Sequence, residues 1–466
     1  MVLWEYNNWS ICLQLGIILF FIILGNIISR RVPVIKNSLV PASVVAGLLI
    51  FALKLIPWVS DYFVNSKFME GLTYHCLGLG FIAVALQTAD KSKKSKTSVI
   101  VDSGIVTVNG YLVQAIVGLG ITLLLSVTLF KDLFFAAGLL LPMGYGQGTG
   151  QALNFGKVYQ DMGFENGPAF GLSIAAIGFL VACIVGVIYL NVLKKKGKLN
   201  MQLARKDNTN DQSIAVYEEN EAPLSQSVDK LTIQIGWVIA CYLITYLIML
   251  GLSELVITYL GKFGLNTLRP LIWGFNFLIG TIVAIITKVA ANKLRDKGIM
   301  RHKYINNHYM SRISGLFFDV MIVAGIAAID WQDLSGILVP LIIVCLLGGF
   351  ATFYYIKFVC KKIYPEYEHE AFFSIFGMLT GTASTGMILL REIDPNYETP
   401  ASNNLIFQQL PAIAFGAPIL LLVPYAGGSI VNALIVFGVV IVLFVVYNAI
   451  LFRRVIFKKK NKKGIE

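Results

Sequence analysis

Eleven apolar runs divide the chain, at residues 11–29, 39–58, 71–87, 99–130, 168–193, 231–260, 270–289, 313–329, 336–356, 405–425 and 430–452. About 20 helical residues cross a hydrocarbon core of about 30 Å, so each run is read as a membrane span. Lipid offers no partner to a free N–H or C=O, and isolated spans of this kind have to be helical. Composition agrees: of 466 residues 56% are hydrophobic and 14% charged, with a mean hydropathy of +0.73, far too apolar for a soluble domain. The expected fold class is an all-α polytopic membrane protein with about 11 transmembrane helices. The first run has no basic segment ahead of it and is followed by Arg30 and Arg31, which marks a retained span and not a cleaved signal.

The excess of 38 Lys and Arg over 26 Asp and Glu, a net charge of +12, sits in short loops and at the C-terminus. That pattern marks cytoplasmic loops and gives no reason to invoke nucleic acid. Arg30, Arg31 and Lys36 follow the first span; Lys91, Lys93, Lys94 and Lys96 outweigh Asp90 after the third; Lys194, Lys195, Lys196 and Lys198 follow the fifth. Asp61, Lys67 and Glu70, after the second, are slightly acidic. The N-terminus is therefore expected outside, and the basic tail from Arg453 to Lys463 inside.

Within this frame residues 141–164 read LPMGYGQGTGQALNFGKVYQDMGF, with Gly144, Gly146, Gly148 and Gly150 at alternate positions after Pro142. Each glycine costs about 1 kcal/mol against alanine in a helix interior, so the backbone should break here. Unwound backbone at membrane depth has to be buried in protein or line a wet cavity, where it can hold an ion or substrate. The spans on either side both need their near ends outside, so residues 133–163 should form a re-entrant hairpin. Twelve residues from Leu133 to Gly144, at about 1.5 Å each, reach about 18 Å and place the glycines at the tip, just past the midplane.

A hydrophilic linker, residues 197–229, separates this half from a second that repeats it. LVPASVVAGLLIF from Leu39 answers LRPLIWGFNFLIG from Leu268, and Gly148 answers Gly381 within FGMLTGTASTG. The basic loop of Lys293, Arg295, Lys297, Arg301, Lys303 and Arg312 turns the second copy over, with Asp330 and Asp333 outside. The expected organisation is a first repeat at 1–196, the linker, a second repeat at 230–425 with a hairpin at about 371–399 entering from the cytoplasm, and an extra helix with its basic tail at 426–466.

Backbone carbonyls freed at a helix break can hold a cation such as Na+ without burying a charge, and adjacent hydroxyls and amides add oxygens. The first tip offers Gly146, Gln147, Gly148, Thr149, Gly150, Gln151 and Asn154; the second offers Thr380, Gly381, Thr382, Ser384 and Thr385. Elsewhere such residues serve close helix packing and back-bonded hydroxyls. Two polar breaks at matching places in a repeat ask for more. Helix N-termini at the tips also suit a carboxylate.

Asp319, about six residues into the eighth span, is an intramembrane acid and joins the candidates, against the plainer account of an acid wetted from the cytoplasm. Asp102 is read as interfacial, Lys54 as snorkelling outward, Lys157 and Asp161 as a surface pair, and His75 as structural. The six cysteines, Cys12, Cys76, Cys183, Cys241, Cys345 and Cys360, are scattered with no C-x-x-C pair and read as small buried apolar residues. GYGQGTG lacks the lysine of a phosphate-binding loop and the G-x-G-x-x-G order of a dinucleotide turn, so ATP-driven transport has no support. No Ser/His/Asp or His/Glu cluster sits at one depth, and an enzyme is not expected. An ion channel on the same hairpins remains a different-class alternative.

VPASVVAGLL, GQGTGQA with a following GF, GTASTG and QLPAIAFGA, in this order, resemble the bacterial sodium/glutamate symporter family over about residues 11–424. The likeness is most specific at Gly146, Gly148, Thr149 and Gly150. The resemblance implies an inner-membrane homodimer of two inverted five-span repeats, uptake of L-glutamate with Na+ as the coupling ion and no other cofactor, and an elevator-like movement of a hairpin-bearing core against a scaffold. The chain departs from the family pattern at Tyr145, Gln147, Leu379, Ser384 and residues 82–84, which leaves another amino acid or a dicarboxylate open as substrate.

Overall fold

The computed structural model describes residues 6–56, 64–87, 97–197, 230–299, 304–394 and 398–463. Most of the expected linker, the loop charges at 61, 90–96, 198, 301 and 303, and the side chains of the tail beyond Arg453 lie outside the described residues. Within them the chain is helical, with no strand. The principal helices are α1 (Tyr6–Arg31), α2 (Ala42–Lys54), α3 (Ser66–Leu86), α4 (Thr97–Val127), α5 (Gln147–Asp161), α6 (Gly167–Lys195), α7 (Lys230–Phe263) and α8 (Asn276–Asp296). They continue with α9 (Asn307–Ala327), α10 (Leu338–Ile363), α11 (Glu368–Thr380), α12 (Ala383–Arg391), α13 (Ala401–Phe407), α14 (Gln409–Gly427) and α15 (Ile430–Lys463).

Among the described residues nine helices are long and apolar enough to cross a membrane, and a tenth span arises if the bent pair of α13 and α14 counts as one. The chain is thus a multi-pass membrane protein. Two of the expected runs are modified by proline. The run at 39–58 holds the 13-residue α2, which starts only after Pro41, because that residue stands extended at the N-cap with ψ 142°. The run at 405–425 bends by 49° between Ala401–Phe407 and Pro411–Gly427. Pro411 has no N–H to return to Phe407, and its ring crowds the carbonyl of that residue.

The chain forms two compact units, residues 1–66, 92–206 and 325–466 in one and residues 67–91 and 207–324 in the other. The second unit is built on a core of Ile82, Leu86, Val238, Val283, Ala284, Met310 and Ile313. Several of its polar groups are spent internally. His75 Nδ1 shares a hydrogen bond of 2.8 Å with the Tyr242 hydroxyl, in the structural role expected of it. Lys288 Nζ donates to Ala85 O at 2.7 Å and Gln87 O at 2.8 Å, capping the end of α3. In α7 the apolar stretch runs for 32 residues, Lys230–Gly261, and its most apolar part is only 22% buried.

In the first unit Lys54 departs from the snorkelling role. Its side chain is 5% exposed and its Nζ lies 2.6 Å from Asp330 Oδ1. The ammonium also donates to Ala327 O at 2.9 Å, Ile329 O at 3.0 Å and Ser66 Oγ at 2.8 Å. With four oxygens around it, the charge has no need of outside water. Lys157 and Asp161 are exposed as expected, and five of the six cysteines are buried, Cys12 being exposed. Just past the end of α10 the buried Tyr364 hydroxyl bonds with Ser103 Oγ at 2.8 Å. Burial lifts its pKa well above the ordinary phenol value, which keeps it a hydroxyl.

The two glycine stretches both lie in the first unit. Residues 133–163 return on themselves: Phe134 stacks on Phe164 at 5.3 Å with 6° between the rings, and lies 5.0 Å from Tyr159. The outgoing arm differs from the regular helix used to estimate its reach. It comprises a 3-10 turn at Ala137–Leu139 and a π-turn at Pro142–Gly146. Thr122 on α4 explains part of this, because its Oγ1 donates to Phe135 O at 2.8 Å and accepts from Gly138 N at 3.1 Å, replacing helical bonds. The second stretch is a plain helical hairpin: α11 and α12 fold back so that a Cβ on Gly377 would lie 2.8 Å from Gly386 Cα.

Candidate functional site

The tips of these two hairpins approach closely. The first tip breaks at Gly148, whose φ of 81° and ψ of −173° belong to a region essentially closed to residues with a side chain. The second breaks at Gly381 and Thr382, where Thr382 is extended, with φ −142° and ψ 171°. A Cβ placed on Gly148 would lie 3.7 Å from Thr382 Cγ2 and 4.0 Å from Gly381 O. Two segments from opposite halves of the sequence therefore bring their interrupted backbone to one place.

Each break leaves helix ends whose backbone groups have no partner in their own helix. The first turn of α12, and the part of α5 beyond Gly148, present N–H groups and the positive end of the helix dipole, about half a charge each. The π-turn and the end of α11 present carbonyls. Helix ends of this kind attract anions through their N–H groups and cations through their carbonyls.

Gly146, Gly148, Thr149 and Gly150 are buried, Gln147 is half-buried, and Asn154 is 6% exposed. Thr149 packs on the end of α9, where a Cβ on Gly325 would lie 2.6 Å from Thr149 Cβ. At the second tip Thr380, Gly381 and Thr385 are buried and Thr382 is half-buried. The Thr380 hydroxyl donates to Phe376 O at 2.8 Å, a bond within its own helix. Thr382 Oγ1 caps α12, accepting from Thr385 N at 3.4 Å. Ser384 stands on the first turn of α12, and its side chain lies outside the described residues. Asp319 falls in the second unit, at an exposed position of α9.

Gln114, outside both glycine stretches, lies against both tips. It is fully buried on α4; its Nε2 donates to Leu379 O at 2.7 Å and to Thr352 Oγ1 at 3.1 Å. A Cβ on Gly146 would lie 3.2 Å from its Oε1. One side chain thus reaches both tips. A signal is present in the sequence: Ser103, Thr107 and Gln114 fall on one face of a largely apolar span, at spacings close to whole turns. Tyr145 ties the first tip to α10, its hydroxyl donating to Cys345 O at 2.8 Å. Among the described residues there is no group of three His, Cys, Asp or Glu side chains able to hold a metal ion. Any cation at the junction would be held by carbonyl, hydroxyl and amide oxygens.

The family described as sodium/glutamate symporter matches residues 8–399 of the chain. No individual curated protein matches it.

Proposed function

Since the chain belongs to the sodium/glutamate symporter family, we propose that it carries L-glutamate across the membrane together with Na+, binding both where the two hairpin tips meet. The observation that carries this reading is the close approach of Gly148 to Gly381 and Thr382. Two helix N-termini converge there, and their partial positive charges are best neutralised by an anion such as a carboxylate. Na+ is assigned to oxygens of the same tips: the carbonyls around Gly146, Gly148, Gly150 and Gly381, the hydroxyls of Thr149, Thr380, Thr382, Ser384 and Thr385, and the amides of Gln147 and Asn154. Asp319 is retained as a candidate ion-binding acid. Coupling follows if Na+ completes the shape that the substrate needs, since each ligand then raises the affinity for the other by the same factor.

Alternating access in this proposal is elevator-like, with the hairpin-bearing part moving against a scaffold within a homodimer in the bacterial inner membrane, N-terminus outside and C-terminus in the cytoplasm. Inverted repeats with re-entrant hairpins from opposite faces are the organisation proposed. The lysine caps support it: Lys54 donates to Ala327 O and Ile329 O, while Lys288, at the corresponding place in the second half, donates to Ala85 O and Gln87 O. Each half of the sequence supplies a lysine to a helix end of the other, as a two-fold repeat requires.

The test is uptake of radiolabelled L-glutamate into proteoliposomes under an inward Na+ gradient, with aspartate, other amino acids and dicarboxylates as competitors. Saturable, Na+-dependent uptake and counterflow are expected. Failure of glutamate either to enter or to compete overturns the substrate, and currents far above carrier turnover overturn the carrier in favour of a channel.

A further inference from the structure

Gln114 carries one unused atom in a place where that is expensive. Its Nε2 is oriented without ambiguity, because both neighbours can only accept from it. Leu379 O is a carbonyl, and the hydrogen of Thr352 Oγ1 is already donated to Gly348 O at 2.7 Å. Both amide hydrogens are spent, and Oε1 points the other way. That oxygen is buried, has no partner among the described residues, and lies beside Gly146 at the first tip. A buried acceptor left unpaired is costly, so a side chain held in this pose by two donated bonds is poised for a donor or a cation.

We propose that Gln114 Oε1 is a ligand for positive charge in the transport site, either Na+ or the α-ammonium of the substrate. This rests on the proposed transport reading and adds to it a residue outside both glycine stretches. The side chain binds the carbonyl of Leu379, immediately before Thr380, and offers its own carbonyl beside Gly146. Loading Oε1 would draw electron density from the amide and strengthen the hydrogen bonds its N–H groups donate, so a cation there would tighten the hold of α4 on the second tip.

Gln114→Met keeps about the length and volume of the side chain and removes the whole carboxamide, Oε1 together with the Nε2 bonds to Leu379 O and Thr352 Oγ1. If Oε1 binds Na+, purified Gln114→Met loses the rise in melting temperature that NaCl gives the wild type relative to choline chloride, and its uptake needs roughly tenfold more Na+ for half-maximal rate, the loss expected of one charge-assisted contact. If Oε1 binds the ammonium, the Na+ response is unchanged and the KM for glutamate rises by a similar factor. Competition by glutarate, which lacks the ammonium, then stays as in the wild type. A folded Gln114→Met with wild-type Na+ response and wild-type KM overturns the proposal and leaves the transport reading intact. A wild type that shows no Na+-dependent glutamate uptake overturns that reading, and the melting shifts with NaCl then decide alone whether Gln114 binds the ion. Should Gln114→Met fail to fold, Gln114→Glu, which keeps an oxygen and adds a titratable charge, is expected to make the Na+ response pH-dependent if Oε1 binds the ion and the KM for glutamate pH-dependent if it binds the ammonium; a Na+ response and a KM that are both wild-type and pH-independent overturn the proposal equally.

Discussion

Lys54 Nζ and Asp330 Oδ1 close to 2.6 Å, yet the two side chains differ in their access to water, with 5% of the lysine and 41% of the aspartate exposed. The asymmetry predicts which partner is dearer to lose. Asp330→Asn strands an ammonium without counter-charge and should cost about 3 kcal/mol. Lys54→Met leaves a carboxylate that water can reach, and should cost about 2 kcal/mol, mainly through the carbonyls of Ala327 and Ile329 losing their donor. Thermal melts of both variants in detergent check the order. The reverse order would show that Asp330 is not what balances the lysine.

Gly148 is held at φ 81° and ψ −173° with nothing closer than 3.7 Å to an added Cβ, so alanine there is opposed by the backbone and not by crowding. Gly148→Ala should destabilise by about 1–3 kcal/mol and abolish uptake, because relaxing the strain re-aims the first tip. Gly163, at φ 101° with open space around it, is the control. Gly163→Ala should lower the melting temperature and leave uptake intact. Equal loss of uptake in both would show that stability, and not the shape of the tip, is being measured.

Thr149→Val replaces a fully buried hydroxyl by a methyl of the same shape. Loss of one oxygen from an ion site should weaken the Na+ dependence of uptake about tenfold, the effect expected of about 1.5 kcal/mol from one charge-assisted contact. The protein should remain folded, since the packing of residue 149 on Gly325 is preserved. Unchanged Na+-dependent uptake would remove Thr149 from the site.

Thr122→Val tests the irregular arm. The variant takes the donor from Phe135 O and the acceptor from Gly138 N. Two backbone groups left without their bonds should cost about 2–4 kcal/mol. Hydrogen exchange at Gly138 should rise in the variant; an unchanged exchange rate would mean that the arm is held by packing alone.

Much of the architecture was legible because the forces that set it are local. A run of about 20 apolar residues is sufficient to specify a span, and each of the eleven runs carries a helix here. The break at Gly148 could be placed because alternate glycines disfavour a helix wherever they stand. The contacts that join these pieces are a different matter. Gln114 reaches Leu379 O across most of the chain, and nothing near either residue announces the other. Lys54 looked like a lysine near a membrane surface until Asp330 and the end of α9 were folded against it. The arm before Gly146 looked like a helix because the hydroxyl that unwinds it, on Thr122, belongs to the preceding span. Local periodicity records which face is buried, and it is silent on what the face is buried against.

The length of α7 has its own consequence. The candidate span Lys230–Gly261, 32 residues including Lys230 and Glu254, measures about 48 Å at 1.5 Å per residue. A bilayer offers about 30 Å of hydrocarbon and about 40–45 Å with its headgroups. A helix that long, and so little buried, has to lean or to push its ends into the aqueous phase. Its inclination then answers to the thickness of the bilayer as well as to the helices it packs against. The thickness of the lipid bilayer is, for the second unit, one of the variables that determine its shape.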